Sequence, residues 1–401
     1  MKFAITTLGC KVNQYESQLI REALMGGGFS EQDFSSPGAD LYIVNTCTVT
    51  HRSDAEDRKL IRKALNYHAR LIVTGCQAKV YPYEIRSLAP RAEVIAFEDM
   101  GAALGIPLPS HIKDFCGHSR AFVNVQQGCN NHCTFCIVPQ ARGVPRSRPL
   151  DDIMREISEL YETGFREIIL TGINIGLYEG GVQALIENIL QDSPMPRVRI
   201  SSIEPWTLKK GIIELTAKEP RLCRHMHLPL QSGSDGILAR MGRPYNAAYY
   251  RDLITAIRAA NPHIAIGSDV MVGFPGESEE QFEQTYALVS SLDLAYLHVF
   301  PYSKRPKTPA ASYGCQVDSR VVKERAFRLR ELSRAKRRAF VLSQIGREEE
   351  MLVTRSQAGS FEGITSNYLK VKAEGGAGVN DLVSVVLQEA HDGYVQGRAL
   401  G

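Results

Sequence analysis

Short apolar runs alternate with amphipathic stretches through the first quarter of the chain. Apolar runs at residues 3–8, 41–45 and 71–74 predict β-strands. Apolar residues spaced three to four positions apart at 13–25 and 53–68 predict helices. Strands separated by helices favour a parallel sheet, because a helix is the usual connection between parallel neighbours. Residues 1–105 are therefore predicted to form a small parallel α/β domain.

The alternation of strand and helix patterns is then repeated six times within residues 118–318. The predicted strands are residues 121–126, 167–171, 197–202, 225–229, 264–272 and 296–301. Right-handed crossovers between consecutive parallel strands curl such units into a barrel. We therefore expect an open (β/α)6 barrel, with its functional loops at the carboxyl ends of the strands.

A basic helix is predicted over residues 319–345. Its periodic part, residues 321–340, carries eight Lys or Arg against two Glu. Such a run is either a solvated helix face or a surface that binds nucleic-acid phosphates. The residues that would neutralise phosphates are Lys323, Arg330, Arg334, Arg337 and Arg338.

The last segment, residues 346–401, contains short strand-like runs separated by Gly, Ser and Asn. The runs at 350–354, 364–373 and 382–387 predict a small β-barrel of the oligonucleotide-binding type. A β-domain with a purely structural role is the alternative. The predicted fold class is α/β, with a parallel N-terminal domain, an open six-stranded barrel and a small C-terminal β-barrel.

Length and composition narrow the class of protein. A chain of 401 residues is too long for one typical core and favours two or three domains. No apolar run approaches the ~20 residues of a membrane helix, and the first residues lack the apolar core of a signal peptide, so we expect a cytoplasmic protein. An odd number of cysteines, nine, favours free thiols and metal ligation over a disulfide framework.

Three cysteines lie within eight residues directly after the first predicted barrel strand. Cys129, Cys133 and Cys136 can hold one metal centre while leaving one coordination position open. The alternative is a structural zinc site completed by His132 or Cys116, because short cysteine gaps and a nearby His also suit tetrahedral zinc.

The spacing of these three cysteines, with Phe135 just before the last, resembles the signature of the radical S-adenosylmethionine (SAM) enzymes. The resemblance implies that the three thiolates hold a 4Fe-4S cluster. It also implies that the fourth iron binds the amino and carboxylate groups of SAM, with Phe135 near the adenine.

Each predicted strand of the N-terminal domain is followed almost at once by a cysteine. These are Cys10, Cys47 and Cys76. Because the carboxyl ends of parallel strands lie along one edge, the three thiols are expected to meet. Each cysteine alone could be an inert, buried residue, but three at equivalent positions favour a second cluster site with an open iron.

The segments around those cysteines resemble the N-terminal domain of the methylthiotransferases, a branch of the radical SAM enzymes with two clusters. The segments are Thr-Leu-Gly-Cys-Lys-Val-Asn-Gln-Tyr-Glu-Ser, Asn-Thr-Cys-Thr-Val-Thr and Thr-Gly-Cys-Gln-Ala. The first is similar to the version in the group that acts on N6-threonylcarbamoyladenosine. The C-terminal segment resembles the TRAM module that closes most members of the family.

Loops after four predicted barrel strands carry residues suited to SAM. Glycine permits close approach of the backbone, and buried amide or carboxylate groups can bind the ammonium or the ribose. Each loop alone could be an ordinary turn. Arg243 resembles an arginine of the family, which implies a pair with the SAM carboxylate; a solvated surface arginine is the alternative. The expected SAM contacts, with Phe135, are Gly172, Asn174, Glu204, Gln231 and Arg243.

The resemblance implies transfer of a methylthio group to carbon 2 of N6-threonylcarbamoyladenosine beside the tRNA anticodon. SAM cleavage at the first cluster would generate the radical, and the second cluster would deliver the sulfur. The implied partners are tRNA, SAM and an electron donor such as a flavodoxin or ferredoxin, with no membrane. The alternatives are another tRNA adenosine, a ribosomal-protein side chain, or a non-catalytic RNA-binding protein with structural metal.

Residues 301–308 of this chain differ from the corresponding segment of the family. Lys307 stands where the family has a glycine, which leaves the contribution of that tight turn open. Cys116, Cys223 and Cys315 receive no role.

Overall fold

A computed structural model describes residues 1–400 of the chain. The N-terminal part is a five-stranded parallel sheet in the order β2-β1-β3-β4-β5. Its strands are β1 (Lys2–Thr7), β2 (Ser30–Glu31), β3 (Leu41–Thr46), β4 (Arg70–Thr74) and β5 (Glu93–Val94). Its helices are α1 (Lys11–Gly26), α2 (His51–Leu65), α3 (Gly75–Val80), α4 (Pro82–Leu88) and α5 (Met100–Leu104).

The two faces of this sheet are covered by different helices. Along β3, Ile43 packs on the side of α1, whereas Tyr42 and Val44 pack on the side of α2. All six residues of β3 are buried, which explains its nearly continuous apolar run. The longer predicted strands and helices are confirmed, but β2, β5 and the short helices α3 to α5 were not predicted because they are too short to show periodicity.

Two sheets form the middle of the chain, in the orders β7-β6-β8-β9 and β10-β11-β12. The strands are β6 (Ala121–Gln127), β7 (Arg146–Ser147), β8 (Glu167–Gly172), β9 (Arg197–Ile200), β10 (His225–His227), β11 (Ala265–Val272) and β12 (Tyr296–Pro301). The helices are α6 (Val138–Arg142), α7 (Leu150–Glu162), α8 (Val182–Asp192), α9 (Lys210–Lys218), α10 (Asp235–Arg240), α11 (Ala247–Ala260) and α12 (Glu279–Ser291).

Isolated parallel bridges join the two sheets between β9 and β10, at Val198–Leu222 and Ser202–His227. Six parallel strands therefore curve into the predicted open barrel, while β7 is an antiparallel addition at its edge. The predicted strands at 197–202 and 225–229 were too long, because the chain leaves the sheet at Ile200 and His227 to form the loops of the barrel mouth.

The barrel strands place apolar side chains outward and polar side chains inward. On β9, Val198 and Ile200 join the large core beneath the surrounding helices, whereas Arg197 and Arg199 point to the other face and are also buried. Helix α1 covers part of the open side, since its Tyr15 belongs to the same core and accepts a hydrogen bond from Arg148 at 3.0 Å. The interior is therefore a polar chamber rather than an apolar core.

The C-terminal part consists of a long helix and a closed five-stranded barrel in the order β13-β14-β15-β17-β16. The elements are α13 (Ser319–Gln344), β13 (Glu348–Gln357), β14 (Ser360–Thr365), β15 (Lys370–Glu374), β16 (Leu382–His391) and β17 (Tyr394–Ala399). The single strand predicted at 364–373 was wrong: it is the end of β14, a turn and β15. Strand β17 was not predicted.

The turn between β14 and β15 closes the lower end of the polar chamber. Arg199 donates hydrogen bonds to the carbonyl oxygens of Ser366 and Thr365 at 3.0 and 3.2 Å. Its guanidinium also lies 5.2 Å from the ring centre of Tyr368, at the tip of the turn. Glu167 accepts from Arg199 and pairs with Arg197 at 2.7 Å, so the buried charges are compensated.

The cations on helix α13 divide into exposed and buried groups. Lys323, Arg330 and Arg338 are exposed, as expected for a surface that binds phosphates. Arg337 corrects the prediction, because it donates to the carbonyl oxygen of Tyr368 at 3.0 Å and burial lowers its pKa. Arg334 is exposed but pairs with Glu331.

None of the helices within residues 1–400 combines the length and the apolar character that crossing a membrane requires.

Candidate functional site

The first cysteine triad lies in the loop that leaves β6 at the mouth of the barrel. Cys129, Cys133 and Cys136 are half-buried, and no disulfide involves them. Their sulfurs receive hydrogen-bond donors from neighbouring loops: Asn174 Nδ2 lies 3.8 Å from Cys129 Sγ, and Arg243 Nη1 lies 3.4 Å from Cys133 Sγ. N–H donors around thiolate sulfurs are typical of iron-sulfur sites, where they tune the cluster.

Burial raises the pKa of the Cys136 thiol to about 12, and the proximity of Cys133 and Cys129 raises it further. Burial also raises the pKa of Cys133, although the nearby guanidinium of Arg243 opposes the shift. Three neighbouring thiols would repel each other once deprotonated. A cationic metal centre removes this repulsion, because coordination replaces the thiol protons with the positive charge of the metal.

A buried ion pair stands beside this triad. Arg243 Nη2 lies 2.5 Å from Glu204 Oε2, and the guanidinium lies 4.6 Å from the ring centre of Trp206 and 5.3 Å from that of Tyr245. The sequence predicted Glu204 and Arg243 as separate SAM contacts. The structure brings them together and shows that Arg243 is buried, which excludes the alternative of a solvated surface arginine.

Two further predicted residues at the mouth have buried oxygens without a partner. Within residues 1–400, neither Asn174 Oδ1 nor Gln231 Oε1 accepts a hydrogen bond. Gln231 also has φ of 69°, a left-handed conformation that is strained for a side chain of this kind. Unsatisfied buried acceptors beside three thiols fit a polar ligand such as SAM.

Gly172 and Phe135 complete the predicted SAM contacts. Gly172 is the last residue of β8, and a Cβ there would lie 2.8 Å from the carbonyl oxygen of Gln126. Phe135 is partly buried against an apolar cluster that includes Met241 and Phe274. This cluster lies next to the barrel mouth.

The second triad lies at the carboxyl edge of the N-terminal sheet. The sulfurs of Cys10 and Cys76 both lie near Asn13 Oδ1, at 3.4 and 3.9 Å. The third, Cys47, is adjacent to the same loop, because a Cβ built on Gly9 would lie 3.1 Å from Cys47 Sγ. The structure therefore places the three cysteines around one loop at this sheet edge, although their sulfurs do not all lie within 4.8 Å of one another.

Backbone conformations next to these cysteines require glycine. Gly9 has φ of +109° and Gly75 has φ of +90°. A Cβ on Gly75 would lie 2.4 Å from the carbonyl oxygen of Thr46, so no other residue fits between β3 and the start of α3. These glycines let the three strand ends approach each other.

Arg142, which the sequence analysis missed, connects the barrel to the second triad. It ends α6, the short helix that follows Cys136, and it is buried. Its Nε donates to Cys76 Sγ at 3.2 Å, its Nη2 donates to Asn13 Oδ1 at 2.6 Å, and its Nη1 pairs with Glu16. Burial raises the pKa of Cys76 to about 12, and the guanidinium of Arg142 opposes this shift.

The end of the barrel also contacts the second triad. Buried Arg305, after β12, donates to the carbonyl oxygen of Thr48 at 3.2 Å and pairs with Asp54 at 2.5 Å. Ser303 accepts a hydrogen bond from the backbone N–H of His51 at 3.0 Å. The loop that carries Cys47 is therefore fastened to the barrel mouth.

Lys307 keeps the tight turn although it replaces the expected glycine. Its φ is 72°, and its Nζ donates to the carbonyl oxygen of Val80 at 2.8 Å and lies 5.3 Å from the ring centre of Tyr81. Its carbonyl oxygen accepts from Gln140, on the helix of Arg142, at 2.5 Å. The lysine therefore joins the barrel to the end of helix α3.

The zinc alternative lacks support in the geometry. Among residues 1–400, the only three or more His, Cys, Asp or Glu ligand atoms within 4.8 Å of one another belong to His227, Asp269 and His298. The sulfurs of neither cysteine triad lie this close together, and neither His132 nor Cys116 joins them in such a group; both His132 and Cys116 are exposed. Cys223 is buried and Cys315 exposed, away from both triads in the sequence, and neither gains a role.

Comparisons with known proteins match this arrangement. The radical SAM superfamily model matches residues 123–289, and the model of uncharacterized protein family UPF0004 matches residues 2–96. The structure of the radical SAM methyltransferase TsrM from Kitasatospora setae, with cobalamin and a 4Fe-4S cluster bound, has a TM-score of 0.57 at 15% identity. That match covers 77% of this chain and 76% of the other, and it supports the fold.

Curated relatives extend over nearly the whole chain. A Bacillus subtilis protein named threonylcarbamoyladenosine tRNA methylthiotransferase MtaB is 36% identical, over 98% of this chain and 95% of the relative. A protein of the same name from Aquifex aeolicus is 33% identical, over 96% and 100%. A tRNA-2-methylthio-N(6)-dimethylallyladenosine synthase from Alkalilimnicola ehrlichii is 32% identical, over 99% and 97%.

These matches account for both domains that contribute to the site, for SAM and an iron-sulfur cluster as cofactors, and for tRNA as the substrate. The chain belongs to the radical SAM methylthiotransferase family, among its MtaB-like members.

Proposed function

We propose that this enzyme adds a methylthio group to carbon 2 of N6-threonylcarbamoyladenosine in tRNA and that it uses two 4Fe-4S clusters. The observation that carries the proposal is Arg142, which leaves the loop of the first triad and reaches Cys76 of the second. A buried side chain that runs from the helix after the first triad to a sulfur of the second suits a reaction in which a radical forms at one centre and sulfur arrives from the other.

Cys129, Cys133 and Cys136 would hold the cluster that supplies the electron for reductive cleavage of SAM. The ion pair of Glu204 and Arg243 offers one carboxylate and one guanidinium, the complements of the ammonium and carboxylate of SAM. Their burial beside the rings of Trp206 and Tyr245 excludes water and strengthens both interactions.

Asn174 and Gln231 would contribute their unpartnered oxygens to the polar groups of SAM. Gly172 lets its strand end pack against Gln126, where a Cβ would lie 2.8 Å from the carbonyl oxygen, and its backbone would line the SAM site. Phe135 would pack near the adenine from its position in the cysteine loop. These side chains would orient SAM, and the chamber below them would receive the target base.

Cys10, Cys47 and Cys76 would hold the cluster that supplies the sulfur to the substrate. Asn13 fixes the neighbouring strand ends through its amide N–H, which donates to the carbonyl oxygen of Thr46 at 2.8 Å, and its Oδ1 lies beside the sulfurs of Cys10 and Cys76. Arg142 neutralises part of the negative charge that three thiolates bring into a buried site.

The substrate proposal rests on the relatives and on the RNA-binding surface. Relatives named for threonylcarbamoyladenosine share up to 36% of residues with this chain, and a relative named for dimethylallyladenosine shares 32%. A base in the anticodon loop can enter the chamber because unpaired bases can be splayed out of the RNA. Lys323, Arg330 and Arg338, with the β-barrel of residues 346–401, would bind the tRNA backbone.

The experiment is a nucleoside analysis of tRNA from a deletion strain and from the complemented strain. Loss of methylthio-threonylcarbamoyladenosine in the deletion strain supports the proposal. An unchanged level, or loss of methylthio-isopentenyladenosine instead, contradicts the substrate. Iron and sulfide analysis of anaerobically prepared protein tests the cofactors: about eight irons per chain are expected for two 4Fe-4S clusters. About four irons would contradict the second cluster.

We expect a flavodoxin or a ferredoxin to supply the reducing electron in the cell. We expect the reaction to take place in the cytoplasm, where tRNA is found.

A further inference from the structure

A second polar cluster lies inside the barrel, below the mouth. His227 on β10, Asp269 on β11 and His298 on β12 all point into the chamber from adjacent parallel strands. His227 Nε2 lies 2.9 Å from Asp269 Oδ1, and His298 Nδ1 lies 3.4 Å from the same oxygen. Asp269 is three residues before the end of β11, which places the cluster about 10 Å below the rim.

The two imidazoles in this cluster are exposed to very different degrees. The side chain of His227 is 11% exposed, whereas that of His298 is 64% exposed. The ring centre of His298 lies 4.9 Å from that of His227 and 5.2 Å from that of Tyr296. The imidazole of His298 is therefore supported by aromatic rings and anchored by Asp269, while much of its surface remains open.

Asp269 is suited to hold both rings in place. Burial opposes its ionisation, but the hydrogen bonds and charges of His227 and His298 outweigh burial and lower its pKa. The carboxylate therefore stays charged and accepts from both rings. The other ring nitrogen of His227, Nδ1, lies 3.4 Å from the hydroxyl of Tyr296, which fixes that ring as well.

We propose that His298 is the surface on which the target nucleobase stacks, with Asp269 and His227 as positioning residues. The inference rests on the proposed function, since it requires a base in the chamber. Proteins that bind unpaired bases stack them on aromatic or His side chains, and loss of one such ring weakens binding about tenfold to a hundredfold. A ring that is fixed before binding loses little conformational freedom when the base arrives.

The same three ligand atoms could hold a divalent cation, because two His and one carboxylate are a common metal set. The geometry favours a stacked nucleobase over a bound metal ion. The open part of His298 is a ring supported by other rings, and the wall continues with Tyr296 and His225, whose rings are nearly parallel at 6.1 Å. An aromatic wall of this extent suits the flat purine ring of a nucleobase.

The test compares His298→Ala with His298→Phe in the reconstituted holoenzyme. The substrate is an anticodon stem-loop RNA that carries the base modified by the wild-type enzyme. His298→Ala should raise the KM for RNA about tenfold to a hundredfold, while SAM cleavage without RNA stays at the wild-type rate. His298→Phe should restore the KM to within a few-fold of wild type, because it keeps a ring but no ligand nitrogen.

Several results would overturn the proposal that His298 is a stacking surface. The first is an unchanged KM for His298→Ala with iron content equal to wild type. The second is a His298→Phe variant as impaired as His298→Ala. The third is stoichiometric Zn²⁺ or Mn²⁺ retained by the wild-type protein after dialysis and lost from both variants. By contrast, a wild-type enzyme that modifies no tRNA adenosine contradicts the proposed function itself.

Discussion

The two cysteine triads face the same region but are built in different ways. Cys129, Cys133 and Cys136 occupy one loop, so eight consecutive residues determine their spacing. Cys10, Cys47 and Cys76 come from three strand ends and meet only when β1, β3 and β4 pair in register. The first site is thus a property of a short segment, and the second is a property of a folded sheet.

The dependence between the triads runs mainly in one direction. The first triad receives its hydrogen-bond donors from other loops of its own barrel, through Asn174 and Arg243. The second receives one of its donors from Arg142, which belongs to the barrel. Damage near the first triad is therefore expected to reach the second, whereas damage to the N-terminal sheet should leave the first triad intact.

Substitution of one cysteine in each triad should separate the two half-reactions most strongly. Cys133→Ala should abolish SAM cleavage, because a ligand of the first cluster is lost. Cys47→Ala should still cleave SAM but should insert no sulfur. The measurement is the yield of 5'-deoxyadenosine and of methylthiolated nucleoside in the same reaction. If both variants modify tRNA, the division of labour between the triads is wrong.

Substitution of Arg142 should impair metal binding at the second triad more than at the first. Arg142→Met leaves Glu16 buried without its partner, and breaking a buried pair of this kind costs about 3–5 kcal/mol. We expect loss of about half the iron and of sulfur insertion, with SAM cleavage retained. Arg142→Lys is the matched control, since it keeps the charge but cannot reach Cys76, Asn13 and Glu16 together.

Equal loss of SAM cleavage and sulfur insertion in Arg142→Met would show that the arginine supports both centres alike.

Asn13 offers a test centred on the N-terminal sheet, which also removes the acceptor of Arg142 Nη2. Asn13→Ala removes the donor to the carbonyl oxygens of Leu8 and Thr46 and leaves them unsatisfied, at a cost of about 1–3 kcal/mol. Iron bound by the second triad should fall, while Mössbauer or EPR signals of the first cluster remain. Gln18→Ala, on the same helix but paired with Glu22, is the control and should change neither signal.

The smallest effect is expected at Lys307, which joins the barrel to helix α3. Lys307→Ala keeps the strained φ and loses the contact with Val80, so we expect a melting temperature about 2 °C lower. Lys307→Gly loses the same contact but relieves a strain of about 1–2 kcal/mol, so it should melt near the wild type. A glycine variant less stable than the alanine variant would contradict this account of the turn.

Sequence patterns predicted the fold class and the meeting of Cys10, Cys47 and Cys76, because period-two and helical repeats reveal which strands precede each cysteine. They did not reveal Arg142, since a single arginine after a cysteine loop carries no sign of a partner in another domain. The merged strand at 364–373 has a similar cause: its turn uses Tyr368 with φ of 66°, where no glycine or proline marks a break.

Contacts at the mouth of the barrel were also beyond what the sequence pattern could predict. Glu204 was expected to bind SAM because it follows a barrel strand, and Arg243 because it resembles an arginine of the family. Their pairing depends on how the loops fold over one another, which periodicity does not encode. The cluster around Asp269 was also missed, because its histidines lie inside strands, where alternation indicates only an inward face.

The turn at Tyr368 gives the C-terminal β-barrel a fixed place. Hydrogen bonds from Arg199 and Arg337 hold this turn at the lower end of the barrel, so the module is not a tethered arm. The separation between its outer surface and the mouth is then constant. If this barrel binds the tRNA backbone as proposed, a constant separation would set the number of nucleotides between the bound backbone and the base that enters, so the modified nucleotide would be selected by length as well as by chemistry.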